Sequence, residues 1–261
     1  MFTTQLIILT IFVLAIFYMV KFLQKKKVKV TQPVPPLLKT ILQEQVPFYQ
    51  QLNENRKTEF EERTIHFLTQ VKVTGVKTVV EDLDRVLIAA SAIIPIFNFQ
   101  GWEYPNRNEV LLYPDACDHE FEQQGDDRNI LGMVGSGALN QVMILSQFEL
   151  RQAFINETGK NNTAIHEFVH LVDKTDGEID GVPESLLNKQ YIKPWLQLMQ
   201  EKIKEIIDDR SDINPYGATN EAEFFAVVSE YFFERPELLK EKHPELYELL
   251  LKIFHPEPVS G

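Results

Sequence analysis

Apolar and polar positions follow one another along this chain in blocks of different period. Leu6 to Val20 is almost purely apolar, broken only by Thr10, and a basic run of Lys25, Lys26, Lys27 and Lys29 follows. If Lys21 snorkels, the span extends to Leu23, close to the ~20 residues that a bilayer needs. No Lys or Arg precedes the run and no small-x-small site follows it, so a cleaved signal peptide fits poorly. The expectation is a single membrane anchor over residues 1–30. Lysines on its C-terminal side alone put the rest of the chain in the cytoplasm by the positive-inside rule. Thr31-Gln-Pro-Val-Pro-Pro36 reads as a stiff linker. A folded domain is expected over residues 37–261.

Inside that domain the period shifts between helical and strand-like. Leu38, Ile41, Leu42 and Val46 predict a short amphipathic helix stopped by Pro47, and Phe48 to Gln70 predicts one or two helices. Val71 to Val76 alternates like a strand, and Glu109 to Tyr113 is a second short strand. Between them, Leu83 to Phe99 predicts a core helix ending near Pro95. Gly132, Gly135 and Gly137 read as a turn, since the lysine of a phosphate loop is missing. Asn140 to Ser146 predicts a strand leading directly into the next helix, at an edge where a peptide could pair. Pro194 to Asp209 is amphipathic, and Phe224 to Phe233 is apolar nearly all round. The expected class is α+β, mainly helical with a small sheet.

Composition narrows the partners. The chain is 44% hydrophobic and 25% charged, ordinary for a globular protein, but its formal net charge is −12. A nucleic-acid partner would need a basic face and is not expected. Cys117 is the one cysteine, so no intrachain disulfide forms, which fits a reducing compartment.

The chemistry gathers in Ala164-Ile-His-Glu-Phe-Val-His-Leu-Val-Asp-Lys174. His166 and His170 stand one helical turn apart, so both imidazoles leave the same face and can share one tetrahedral Zn²⁺. Glu167 lies beside them and can hold the proton of a metal-activated water. Asn161, Asn162 and Thr163 supply an N-cap, and Asp176-Gly177 supplies a stop. Ile165, Phe168, Val169, Leu171 and Val172 make the helix apolar and buried, and a buried helix does not carry two histidines and a glutamate without a partner for them. Asp173 could orient a ligand imidazole or simply be a solvated helix end. His66 has charged neighbours and reads as surface, and His119 sits in the acidic stretch Asp118 to Asp127 without matched spacing.

Three protein ligands plus water is the usual catalytic zinc set, so a third ligand is needed. Glu223 and Glu230 are the acidic exceptions inside the apolar stretch after Asn220, two turns apart on one face. One can ligate while the other makes a supporting hydrogen bond. Glu223 could instead close a capping box with Asn220, and Glu230 could be a buried carboxylate paired with an arginine. Position alone does not choose between them.

The stretches His166-Glu-Phe-Val-His-Leu-Val-Asp-Lys174, Asp180-Gly-Val-Pro183 and Tyr216-Gly-Ala-Thr-Asn-Glu-Ala-Glu-Phe-Phe-Ala-Val-Val-Ser-Glu-Tyr-Phe-Phe233 resemble the Mlc titration factor A family of zinc peptidases, as does Val110-Leu-Leu-Tyr-Pro114. The resemblance runs over about residues 37 to 256. It implies a zincin-like domain of gluzincin type, with Glu223 as the carboxylate ligand beside His166 and His170. It also implies a peptide or protein substrate, Glu167 as general base, and Tyr216 as a hydrogen-bond donor to the developing oxyanion. The rival class is a binding protein that holds a regulatory partner at the membrane face without cutting it. The enterobacterial members lack the anchor expected here.

A chain that begins near Gln32 should be soluble and folded without detergent, while the full chain sediments with membranes. Aggregation of that fragment, next to a full chain that stays soluble without detergent, would make Leu6 to Val20 a core helix instead.

Overall fold

The computed structural model describes residues 33–104, 109–115, 132–134, 142–156, 158–184 and 186–255. The anchor expected at residues 1–30, the acidic stretch with Cys117 and His119, and Gly135 and Gly137 lie outside the described residues. No helix among the described residues is long and apolar enough to cross a membrane. At the start of the domain, Pro35 is buried and the Pro33 carbonyl accepts from Arg85 Nη2 at 2.6 Å.

Helices α1 (Leu38–Gln45), α2 (Pro47–Gln50) and α3 (Glu54–Gln70) lead into strand β1 (Lys72–Gly75) and helix α4 (Asp82–Ile96). Three strands follow, β2 (Glu109–Tyr113), β3 (Gly132–Val134) and β4 (Val142–Ser146), then helices α5 (Gln147–Ile155) and α6 (Thr163–Asp173). The chain closes with α7 (Lys189–Ile207), α8 (Glu221–Glu234), α9 (Pro236–Lys242) and α10 (Pro244–Phe254). This is the mainly helical α+β arrangement with a small sheet that was expected.

The sheet runs β1-β2-β4-β3. β1 and β2 are parallel with Val73 opposite Val110, β2 and β4 are parallel with Leu111 opposite Ile144, and β3 joins β4 antiparallel. β4 therefore lies inside the sheet, not at its edge, and the edge next to it is β3. Its sequence agrees: Met143, Ile144, Leu145 and Ser146 are all buried, the continuous burial of a strand covered on both faces. Gly132 to Val134, expected as part of a turn, is that edge strand. A second difference is α5, which intervenes between β4 and α6. Ser146 caps it by accepting the Glu149 N–H at 3.2 Å, an S-x-x-E start signal that a short nine-residue helix makes easy to overlook.

α4 is buried from Val86 to Ile96 and forms the centre of one apolar core that also takes in Phe60, Phe168, Phe224, Phe225 and Trp195. Side chains of this kind contribute roughly 1.5–3 kcal/mol each on full burial. α4 ends at Ile96, next to Pro95, where the sequence places its end. α7 starts at Lys189, before Pro194. Fully buried Asp84, at the start of α4, takes Arg151 Nε at 2.7 Å and Gln147 Nε2 at 2.7 Å, so α5 is fixed to α4 by a paired charge. α6 packs between α4 and α8, with β3 and β4 also against it.

Beyond the core, Asp212 gathers four groups from distant parts of the chain. Lys160 Nζ donates to its carboxylate at 2.9 Å, Tyr231 Oη at 2.9 Å, and Lys242 Nζ is paired at 3.2 Å, while His243 Nε2 lies 2.7 Å away. Burial alone would raise the Asp212 carboxyl, but these hydrogen bonds and charges hold it well below the usual carboxylate range. A folded-state value below the unfolded one stabilises the fold above the unfolded value, and that contribution is lost as pH falls. Asp212→Asn is expected to lower the unfolding free energy by about 2 kcal/mol at pH 7, in the range for hydrogen bonds to a charged group. The gap to wild type should begin to narrow below about pH 4, where the unfolded chain takes up the proton, and close only as pH falls through the lower folded-state value. Denaturant titration across this pH range checks both the size and the sign.

Candidate metal centre

The seam between α6 and α8 gathers the buried polar side chains Asn162, His166, Glu167 and Glu230. α6 forms because Asn162, in extended conformation, caps it by accepting the Ile165 N–H at 3.1 Å, and it ends in a turn closed by Gly177 at φ +113°. Its apolar residues face α4 and α8, and His166 and Glu167 are buried among them. α8 starts at Asn220, whose side chain accepts the Glu223 N–H at 2.9 Å. The Glu223 carboxylate is not spent on that cap; it turns toward α6.

Three side-chain atoms converge there. His166 Nε2 lies 2.9 Å from Glu223 Oε2, His170 Nε2 lies 3.1 Å from His166 Nε2, and His170 Nε2 lies 3.4 Å from Glu223 Oε2. Ligand atoms about 2.0–2.1 Å from a tetrahedral Zn²⁺ stand about 3.3 Å from each other, so this triangle has the size of one face of such a tetrahedron. Among the described residues, no other group of three histidine, cysteine or carboxylate side chains converges in this way. The donor set, two imidazoles and one carboxylate, suits Zn²⁺.

Charge favours a cation here. Burial by itself would lower the His166 value, but the hydrogen bonds to Glu223 and Glu230 override it and push it up to about 10. Burial would raise Glu223, yet His166 and His170 hold it down at about 2. A metal ion entering this site would have to compete with the proton that His166 holds between the two carboxylates. Glu167 is pushed up, first by burial and then by Glu223 and Glu230, against the pull of the two histidines.

Glu230 takes the supporting position. Its Oε1 lies 2.6 Å from His166 Nδ1, and its Oε2 accepts the Asn162 N–H. No arginine is involved. With Nδ1–H given to Glu230, the neutral ring would turn its Nε2 lone pair to the trio once the Nε2 proton is displaced. His170 Nδ1 is buried without a hydrogen-bond partner, so Asp173 does not orient that ring. Asp173 is not a solvated helix end either: it is fully buried, and its Oδ2 accepts the Gly181 N–H at 2.8 Å. Gly181 has φ +78°, and a Cβ there would meet the Glu221 carbonyl oxygen at 2.2 Å, so only glycine lets this loop pass the start of α8.

A cleft of about 490 Å³ opens beside the trio, with Glu149, Gln152, Asn156, Glu167 and Tyr216 in its walls. Tyr216 lies on the single turn Pro215–Ala218, its ring 6.0 Å from that of His166, and it is 53% exposed. Burial, Glu223 and Glu167 all push its phenol up, which keeps it a hydrogen-bond donor. The α5 wall of the cleft was not foreseen from the sequence, nor was the part Asn162 plays beyond its cap. His66 is on the surface, paired with Glu103 at 2.9 Å, well apart from the trio in its contacts.

The sequence model described as glucose-regulated metallo-peptidase M90 matches residues 20–255. The Synechocystis protein slr2042 is 30% identical over 243 residues, covering 87% of this chain and 86% of its own length. Mlc titration factor A of Pectobacterium atrosepticum is 28% identical over 230 residues, covering 82% and 84%, and that of Serratia proteamaculans is 29% identical over 189 residues, covering 66% and 69%. The chain belongs to the M90 metallopeptidase family.

Glu223→Ala is expected to lose most bound metal at limiting concentration. Glu230→Ala should weaken binding about 10–100-fold, as loss of a supporting partner does. Metal analysis after dialysis checks this, and equal metal content in wild type and Glu223→Ala would reverse the two roles.

Proposed function

We propose, from membership in that family, that this chain is a zinc-dependent peptidase in which His166, His170 and Glu223 hold Zn²⁺ and Glu167 is the general base. The observation that carries it is the triangle of His166 Nε2, His170 Nε2 and Glu223 Oε2, with buried Glu167 beside it on the wall of the cleft. When bound, Zn²⁺ would supply Lewis acidity, polarising the scissile carbonyl and lowering the pKa of the attacking water.

The chain's own residues do the rest. A carboxyl raised by burial is a better proton acceptor than an ordinary glutamate, which suits Glu167 to take a proton from the attacking water. The same carboxyl then delivers that proton to the leaving amine. Tyr216 Oη donates to the carbonyl oxygen as negative charge develops on it. Its exposure at the cleft mouth leaves the ring free to close on a substrate. Glu230 holds the His166 ring in one orientation throughout. An extended peptide can lie along β3, the edge strand that packs beside α6. Residues 1–30 would anchor this domain at the cytoplasmic face of a membrane, and peptides or proteins of that compartment would be its substrates.

The name of the enterobacterial relatives, Mlc titration factor A, supports a second reading, in which the domain binds a regulatory protein and does not cut it. Glu167 favours catalysis, since holding a partner needs no general base.

Glu167→Gln separates the two. The amide keeps the size of the side chain but accepts no proton at neutral pH. Zinc content and fold are expected to stay as in wild type, while hydrolysis of unstructured peptides falls by at least the ~10²–10⁴-fold of a lost general base. Undiminished hydrolysis would assign the cutting to another site. Loss of zinc with activity would make Glu167 a support of the metal.

A further inference from the structure

We infer that Asn162 is a positioning residue for the metal site: it clasps the start of α6 to Glu230 and Glu234 of α8, and so sets where His166 meets Glu223. The inference rests on the reading of His166, His170 and Glu223 as metal ligands.

Asn162 is fully buried, and each of its polar groups is used. Its side-chain oxygen caps α6 through the Ile165 N–H, and its carbonyl accepts the His166 N–H at 2.9 Å. Its backbone N–H goes to Glu230 Oε2, and its Nδ2 donates to Glu234 Oε1 at 2.8 Å. Glu230 and Glu234 are one turn apart on α8, so both grips fall on the same face. One residue thus touches the ligand helix by two bonds and the opposing helix by two more.

An ordinary helix cap explains only the bond to Ile165. Serine or aspartate would make that bond equally well. Asparagine is the side chain that offers the cap acceptor and, from the same group, a donor for a buried carboxylate. The consequence reaches the metal ligands in two steps. Glu230 is a long side chain, and its Oε1 meets His166 Nδ1 only if its Oε2 is held; Asn162 holds it. Fixing Nδ1 fixes the direction of Nε2, which is the atom in the triangle. Glu234 anchors the amide end, so that the Asn162 backbone cannot drift from Glu230.

The test uses the full chain and Zn²⁺ affinity measured by competition with a chelator. Asn162→Asp keeps the cap but replaces the donor with a carboxylate facing Glu234, and should weaken Zn²⁺ binding about 10–100-fold. Adding Glu234→Gln to it restores the hydrogen bond with its direction reversed, and affinity should return to near wild type. Glu234→Gln alone can still accept from Asn162 and should bind like wild type. Glu234→Ala leaves the cap untouched and strands the amide, so it should weaken binding several-fold even if Asn162→Asp does not fold. Wild-type affinity in both Asn162→Asp and Glu234→Ala would overturn the proposal. So would a double variant as weak as Asn162→Asp with an unchanged circular dichroism spectrum. If wild type itself binds no Zn²⁺, the metal-site reading fails first and this one with it.

Discussion

The packing of α6 against α8 turns on how one imidazole is held between two carboxylates. His166 lies on a helix packed into the apolar core, where an unpaired charge or an unused polar atom is costly. Glu223 takes one ring nitrogen and Glu230 the other, at 2.9 and 2.6 Å. Both glutamates belong to α8, two turns apart, so α8 cannot slide or rotate against α6 without breaking one of them. The contact that fixes the packing of two helices is therefore the same contact that gathers the candidate ligands.

This arrangement also explains why the surrounding loops are tied so closely. The segment leading into α6 and the segment carrying Tyr216 come from distant parts of the sequence. They meet through Lys160 and Asp212, and through the 3.3 Å bond from Asn214 to Asn161. Gly181 and Asp173 do the same on the other side, where the loop after α6 passes the start of α8 and Trp195 Nε1 donates to the Gly181 carbonyl at 2.7 Å. A cleft whose walls come from three separated stretches needs such ties if its width is to be constant. Exposed Tyr216 is the exception, standing at the cleft mouth on its single turn.

Much of this was legible in the residues. The helix of His166 and His170 could be read from its cap, its stop and its spacing, because those signals are local. The long apolar helix at Leu83 to Phe99 and the strand at Glu109 to Tyr113 were readable for the same reason: burial on most sides leaves a dense apolar run. Strand order was not readable, since it depends on contacts between distant segments. That is why Val142 to Ser146 reads as an edge and turns out to be interior. The three-residue strand at Gly132 carries too little pattern to be separated from a turn. α5 hides because only Leu150 and Phe154 of its nine residues are buried. Asp173 was misread in both senses: its position after His170 suggested a histidine partner or solvent, whereas its buried carboxylate serves a loop backbone.

The choice between Glu223 and Glu230 shows what a second helix adds to a motif. Along α8 the two are equivalent, since a seven-residue step returns to the same face. The imidazole breaks that equivalence, because its two nitrogens point in different directions and only Nε2 of His166 approaches Nε2 of His170. The carboxylate on that side completes a triangle with both histidines, and the carboxylate on the other side touches one histidine alone. A metal ion bridging the two rings would be reached by Glu223 and screened from Glu230 by the ring itself. Geometry of the ring, not of the helix, thus separates the glutamate that meets both histidines from the one that meets His166 alone.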